Sequence, residues 1–215
     1  MKISLPENID HNSFTNIIFD WGGVITELDF EITNKMFSNL GLRYFKSFFS
    51  KAHQIDILMD FELGKVTPEE FRNEMKRHVE KETSFNEINN AWNSVLRETP
   101  VTRIKLLKRL KINYNLYLLS NTNKIHTDFY NDKLRKEYGD DHNSLFIKAY
   151  YSYHIGFRKP DIRIFKHVIA DSNLDPDKTI FIDDTEMHVD AAVKAGLHAF
   201  HLFDGLDIVQ LFKDW

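Results

Sequence analysis

The chain has 215 residues, 42% hydrophobic and 28% charged, with a formal net charge of -4; that length supports one sizeable core, alone or with a smaller accessory domain, and the mildly acidic balance without a basic stripe speaks against nucleic acid as a partner. There is no cysteine, which excludes disulfides and thiolate metal sites. No apolar run reaches membrane-spanning length and the polar start, Met1 to His11, has no signal-like apolar stretch, so a soluble cytoplasmic protein is the expectation.

The first predicted element is a buried strand over Asn16-Ile17-Ile18-Phe19, ending on Asp20 and turning at Gly22-Gly23. Residues 31–99 contain no strand-like run. Glu31 to Met59 is helix-like, and Thr67-Pro68-Glu69-Glu70 carries a complete helix start: an N-cap, a first-turn proline and a capping-box acid. Phe71, Met75 and Val79 follow at helical spacing. Val101, Ile104, Leu107 and Leu110 then mark one apolar face of a helix. Leu116 to Leu119 is a second strand, ending on Ser120-Asn121-Thr122, and Phe146 to Tyr151 a third. Asp161 to Ala170 is helical, with Ile162, Phe165, Val168 and Ile169 on one side. Thr179 to Ile182 is a fourth strand, ending on Asp183-Asp184. His188 to Ala195 is an Ala-rich helix stopped by Gly196, and His198 to Leu202 is a fifth strand. Strands alternating with helices predict an α/β protein: a Rossmann-like, doubly wound parallel sheet with a small α-helical unit inserted after the first strand. The core is assigned to residues 1–30 and 100–215, the insertion to 31–99.

In such sheets, ligands gather beyond the carboxyl ends of the strands. Three predicted strands end there in polar groups: Asp20, Ser120, and Asp183 with Asp184. A carboxylate can attack phosphorus and form an aspartyl-phosphate, provided the repulsion between two anions is removed. Mg2+ removes it by binding both, through one or two carboxylates, phosphate and water. Lys159, in Arg158-Lys159-Pro160, is the candidate cation for the transferring group.

These motifs resemble the haloacid dehalogenase (HAD) superfamily. Phe19-Asp20-Trp21-Gly22-Gly23-Val24 resembles its first motif and Leu119-Ser120-Asn121-Thr122 its second. Arg158-Lys159-Pro160 resembles the third, and Phe181-Ile182-Asp183-Asp184 with Asp190-Ala191-Ala192 and Ala195-Gly196 the fourth. The order and spacing fit across residues 16–203, and the insertion at 31–99 is similar to the small helical cap of one subclass. Asn123, His126-Thr127 and Gly156 are similar to the branch that includes bacterial α-D-glucose-1-phosphate phosphatases. The resemblance implies a phosphatase for a small-molecule phosphate ester such as a sugar 1-phosphate, acting as a monomer or homodimer. Asp20 would be nucleophile and metal ligand, and Lys159 catalytic. Ser120, Asn121, Gly22 and Gly23 would hold phosphate, and Asp20, Gly22, Asp183 and Asp184 would bind Mg2+.

Two positions depart from the family pattern. The acid expected two residues after the nucleophile, which passes a proton to the leaving group, is Gly22. Good leaving groups, anomeric or acyl phosphates, are therefore expected to be favoured. His188 stands where relatives carry Asn or Asp; it is read as an ordinary helix residue, with a hydrogen bond to a carboxylate as the alternative. His53 and Asp56 are guesses for substrate contact; His126 and His154 show no metal-ligand spacing. The rival functions are a haloacid dehalogenase, which needs no metal, and a non-catalytic phospho-ligand binder, kept open by Gly22.

Overall fold

The computed structural model describes residues 2–3, 13–42, 55–203 and 205–213. Its six strands are β1 (Lys2–Ile3), β2 (Asn16–Phe19), β3 (Asn115–Ser120), β4 (Lys148–Tyr151), β5 (Thr179–Asp183) and β6 (His198–His201). They form one sheet in the order β1-β6-β5-β2-β3-β4, every pairing parallel. All residues of β2 and β5 are buried, as expected of central strands covered on both faces. Ile17, Phe19, Leu118 and Ile182 pack on one face; Ile18, Leu119 and Phe181 pack on the other. The alternation is hidden in the sequence because both faces are apolar.

Sequence reasoning expected five strands; the sixth, β1, is a two-residue edge beside β6, too short to carry a period. It also began the third strand at Phe146, whereas β4 begins at Lys148. Phe146 instead caps the short helix at His142–Leu145, its N–H donating to the His142 carbonyl. Asp161, expected inside a helix, stands just before helix Ile162–Asp171 as its N-cap and accepts from the Arg163 N–H.

Register sets the site. Phe19 lies opposite both Leu118 and Ile182, so Asp20, Ser120 and Asp183 emerge together at one edge of the sheet.

The insertion contains α1 (Phe30–Asn39), α2 (Ile55–Glu62), α3 (Pro68–His78) and α4 (Phe85–Asn93). The helix expected over Glu31 to Met59 is thus two helices; residues 43–54, which include His53 and the aromatic stretch 44–49, lie outside the described residues, as does the side chain of Asp56. Thr67 and Glu70 form the predicted capping box, and Ser84 with Glu87 forms another. Phe37, Phe61, Phe71, Met75 and Ile88 make a separate apolar cluster among these helices, with the Phe61 and Phe71 rings stacked 4.4 Å apart. The chain leaves and re-enters the core through two paired segments: Asp29 N–H donates to the Val95 carbonyl (2.8 Å) and Arg97 N–H to that of Glu27 (2.9 Å).

Behind the sheet edge, His142 is 2% exposed, its ring centroid 4.2 Å from that of Trp21 and its Nδ1 2.8 Å from the Tyr151 hydroxyl. Burial pushes its pKa down to about 3. In the unfolded chain it titrates near 6.5, so protons bind the unfolded state preferentially and stability falls as pH drops from 6.5 towards 3. Acidification from pH 7 to 4.5 should cost about 3 kcal/mol through this residue. Urea unfolding of parent and His142→Gln checks this: the variant should show the shallower pH dependence, and parallel curves would refute the assignment.

Candidate active site

Asp20 follows β2 directly and is 8% exposed. Its N–H donates to the Ile182 carbonyl (2.9 Å), which ties the turn to β5. The next N–H, of Trp21, donates to Asp20 Oδ1 (2.7 Å). Lys159, fully buried, places Nζ 2.9 Å from the same Oδ1 and 2.6 Å from Asp183 Oδ2. One ammonium therefore joins two carboxylates from two strands.

The third strand end holds that ammonium in position. Asn121 clamps the Lys159 backbone: its Oδ1 accepts from the Lys159 N–H and its Nδ2 donates to the Lys159 carbonyl, both at 2.8 Å. Both ends of its side-chain amide are thereby engaged, so a phosphate contact of Asn121 would fall to its backbone N–H. Thr122 is pinned by Ser152, whose Oγ accepts from the Thr122 N–H and donates to its carbonyl, each at 3.0 Å. Ser120 lines the cavity above them, with Asp20, Gly22 and Asp184.

Gly23 has its backbone donor engaged as well. Its N–H donates to the Thr26 carbonyl (2.8 Å) and is not offered to a phosphate. It is needed for space: at φ 76°, a Cβ there would lie 1.9 Å from Asp184 Oδ2. At Gly22 an added Cβ would meet Leu28 first, with Cδ1 2.9 Å away.

Burial pushes the Asp20 carboxyl up to about 8, against the pull of the Lys159 ammonium. Burial works in the same direction on Asp183, but Lys159 and His188 outweigh it and hold that carboxyl well below the usual range. Asp184, exposed at the cavity mouth, is raised by the protein atoms crowding it and by the charge of Asp183. Three carboxylates thus share one ammonium.

That excess of negative charge tests the fit of a metal. The carboxylates supply hard oxygens, the donors a small divalent cation selects. Ligand atoms of Asp20, Asp183 and His188 lie within 4.8 Å of one another. Asp183 is nonetheless the less available acid: Oδ2 meets Lys159, and Oδ1 accepts from the Thr185 N–H (2.8 Å) and contacts His188 Nδ1 (3.0 Å). Asp184 borders the cavity and would be the more available ligand, while Asp183 is bonded to Lys159 and His188. His188, read from sequence as an ordinary helix residue, is bound to Asp183 and faces the cavity.

The cavity, about 300 Å³, continues past these groups. Leu28, Val95 and Leu96, from the two segments linking core and insertion, form an apolar wall, and Glu62 and Arg158 form a charged one. Sequence reasoning missed Glu62 and gave Arg158, quoted only within the third motif, no role of its own. Glu62 ends an unremarkable helix, and only the fold brings it to the strand ends.

A haloacid dehalogenase-like hydrolase family model matches residues 14–196. The chain is 31% identical over 192 residues to a D-ribitol-5-phosphate phosphatase of Bacteroides thetaiotaomicron, covering 89% of this chain and 93% of that protein. It superposes with a TM-score of 0.87, at 34% identity, on a crystal structure of a HAD-family enzyme from Bacteroides thetaiotaomicron in complex with magnesium and inorganic phosphate, covering 93% of this chain and 99% of that one. A predicted HAD-like hydrolase from Porphyromonas gingivalis aligns with a TM-score of 0.85 at 30% identity, covering 94% and 97% of the two chains. With the family model spanning most of the chain and this parallel sheet beneath it, the protein belongs to the haloacid dehalogenase-like hydrolase family.

Proposed function

We propose that this chain is a Mg2+-dependent phosphatase that releases phosphate from a small, hydroxyl-rich phosphate ester by way of an aspartyl-phosphate on Asp20. The observation that carries this reading is the buried Lys159 ammonium joining Asp20 and Asp183 beside Ser120, in a cavity bordered by Asp184. Asp20, Asp184 and the Gly22 carbonyl would hold the metal. When bound, Mg2+ neutralises the phosphoryl oxygens and lets an anion approach an anion.

The residues of the chain supply the remainder. The contacts of Asp20 with Lys159 and Trp21 both fall on Oδ1, which leaves Oδ2 to attack phosphorus. Lys159 holds the nucleophile and offsets charge on the transferring group. Ser120 and the backbone N–H of Asn121 take phosphate oxygens. As the new P–O bond forms, the ester P–O bond breaks and the leaving oxygen takes a proton; water then displaces the phosphoryl group and restores the Asp20 carboxylate. Residues 31–99 act as a cap over the cavity, and a volume of about 300 Å³ suits a small metabolite. D-Ribitol 5-phosphate, named for the relative of 31% identity, is the first candidate substrate. Gly22, with no proton to give, favours a second, a sugar 1-phosphate with its better leaving group.

The test is phosphate release from both esters, and from a series graded in leaving-group pKa, with Mg2+ and after chelation. Turnover should depend on Mg2+. Activity surviving full metal removal would point to dehalogenase chemistry instead, and tight ester binding without release to a phospho-ligand binder. A flat dependence on leaving-group pKa would remove the case for the sugar 1-phosphate. No helix among the described residues is long and apolar enough to cross a membrane.

A further inference from the structure

We propose that Glu62 and Arg158, a cap residue and a core residue paired across the cavity, form the reader of the substrate's hydroxyl groups. The inference rests on the phosphatase reading above and adds the part of the site that distinguishes a polyol phosphate from any other phosphate ester.

Glu62 is the last residue of α2, and two neighbouring features fix it. Phe61 is buried against Phe71 in the cap cluster. Gly64, at φ 70°, lies so close to the core helix Ser152–Ile155 that an added Cβ would stand 2.0 Å from the Tyr153 carbonyl oxygen. The chain is thus anchored in the cap just before Glu62 and against the core just after it. Its carboxylate is brought to Arg158, with Nε 2.9 Å from Oε2. Arg158 immediately precedes Lys159, so the same backbone carries the phosphate-side cation and the hydroxyl-side cation.

The pair keeps hydrogen-bonding capacity. Arg158 Nε is buried and has no acceptor aligned with its N–H, so its contact with Glu62 is an ion pair and not a well-directed hydrogen bond. A carboxylate has about four acceptor positions, and a guanidinium five donors. Burial raises the Glu62 carboxyl while Arg158 opposes that shift, consistent with an acid whose water has been removed without full replacement. Leu28, Val95 and Leu96 line the same cavity. A polyol chain there has partners for both its faces: the hydroxyls donate to Glu62 and accept from Arg158, and the C–H groups pack on the aliphatic side chains. Bare phosphate, or an ester without hydroxyls, reaches only the Asp20 end.

Loss of charge-assisted hydrogen bonds to one carboxylate predicts a fall in affinity of about ten- to a hundred-fold. Mg2+-loaded parent and Glu62→Gln are compared by calorimetry with D-ribitol 5-phosphate and with inorganic phosphate, and by kinetics with the same ester and with p-nitrophenyl phosphate, which has no aliphatic hydroxyl. The expected result is weaker ester binding and a higher KM for the ester, with phosphate affinity and p-nitrophenyl phosphate turnover unchanged within about three-fold, the scale of context effects. Equal losses on all ligands, no loss on any, or a parent that binds the polyol ester no tighter than phosphate would each overturn the proposal. Binding is read without turnover, so a protein that binds the ester selectively but never hydrolyses it sinks the phosphatase reading and leaves this pair intact.

Discussion

Asp20→Asn should lose turnover by a factor on the order of 10⁴ to 10⁶, the range seen when a covalent nucleophile is removed, while the protein stays folded. The amide keeps an oxygen that can accept from the Trp21 N–H and from Lys159, so the contacts that position the turn survive. What is lost is the electron pair that attacks phosphorus. Stability should move the other way. Burial has raised this carboxyl to about 8, which records the cost of holding a charge there, and a neutral amide has no such cost. In chelator at pH 8 the variant should therefore melt at or above the parent's temperature. Phosphate release with Mg2+, together with acid trapping of a phosphorylated protein, checks the assignment. Comparable turnover by the two proteins, or label retained by the variant, would remove Asp20 as nucleophile.

That the parent pairs this cost with a site for a cation was visible in the sequence only in outline. Each strand that ends on a reactive group was legible, because a buried run of Ile, Leu and Phe stopping at Asp20, Ser120 or Asp183 has few other readings in an α/β chain. The capping boxes were legible for a similar reason: Thr67 and Glu70 satisfy their own helix end locally, whatever packs above them. For Asn121 and Gly23 the motif names the residue but says nothing about which of its atoms are already bonded. The Asn121 side chain is taken by the Lys159 backbone and the Gly23 N–H by the Thr26 carbonyl, long-range and local closures that only coordinates reveal. Glu62 was illegible for a different reason. An acid at the end of an amphipathic helix is normally solvated, and what turns it inward is the approach of Gly64 to Tyr153, a contact between residues far apart in sequence.

Lys159→Met should show most directly that these carboxylates form one cation site. Asp20 and Asp183 each lie within 3 Å of this fully buried ammonium, and Met fills much of the space without the charge. Removing one partner of a buried ionic group costs about 3–5 kcal/mol, here for two carboxylates left facing each other. For a chain of this length that is a fall in Tm of about 10 °C in chelator. Mg2+ should then narrow the gap. It binds the folded state beside these carboxylates and stabilises by RT ln(1 + [Mg2+]/Kd), and the variant's more negative site offers the cation more than the parent's does. Activity is expected to stay low even with the metal, by a factor on the order of 10³, because a cation held by Asp20 and Asp184 would not replace the ammonium that meets the transferring group. A merely structural ion pair predicts the opposite combination: the same Tm deficit with and without Mg2+, and activity that recovers once the protein is cooled enough to be folded. Melting curves across a Mg2+ titration, paired with phosphate release well below both Tm values, separate the two.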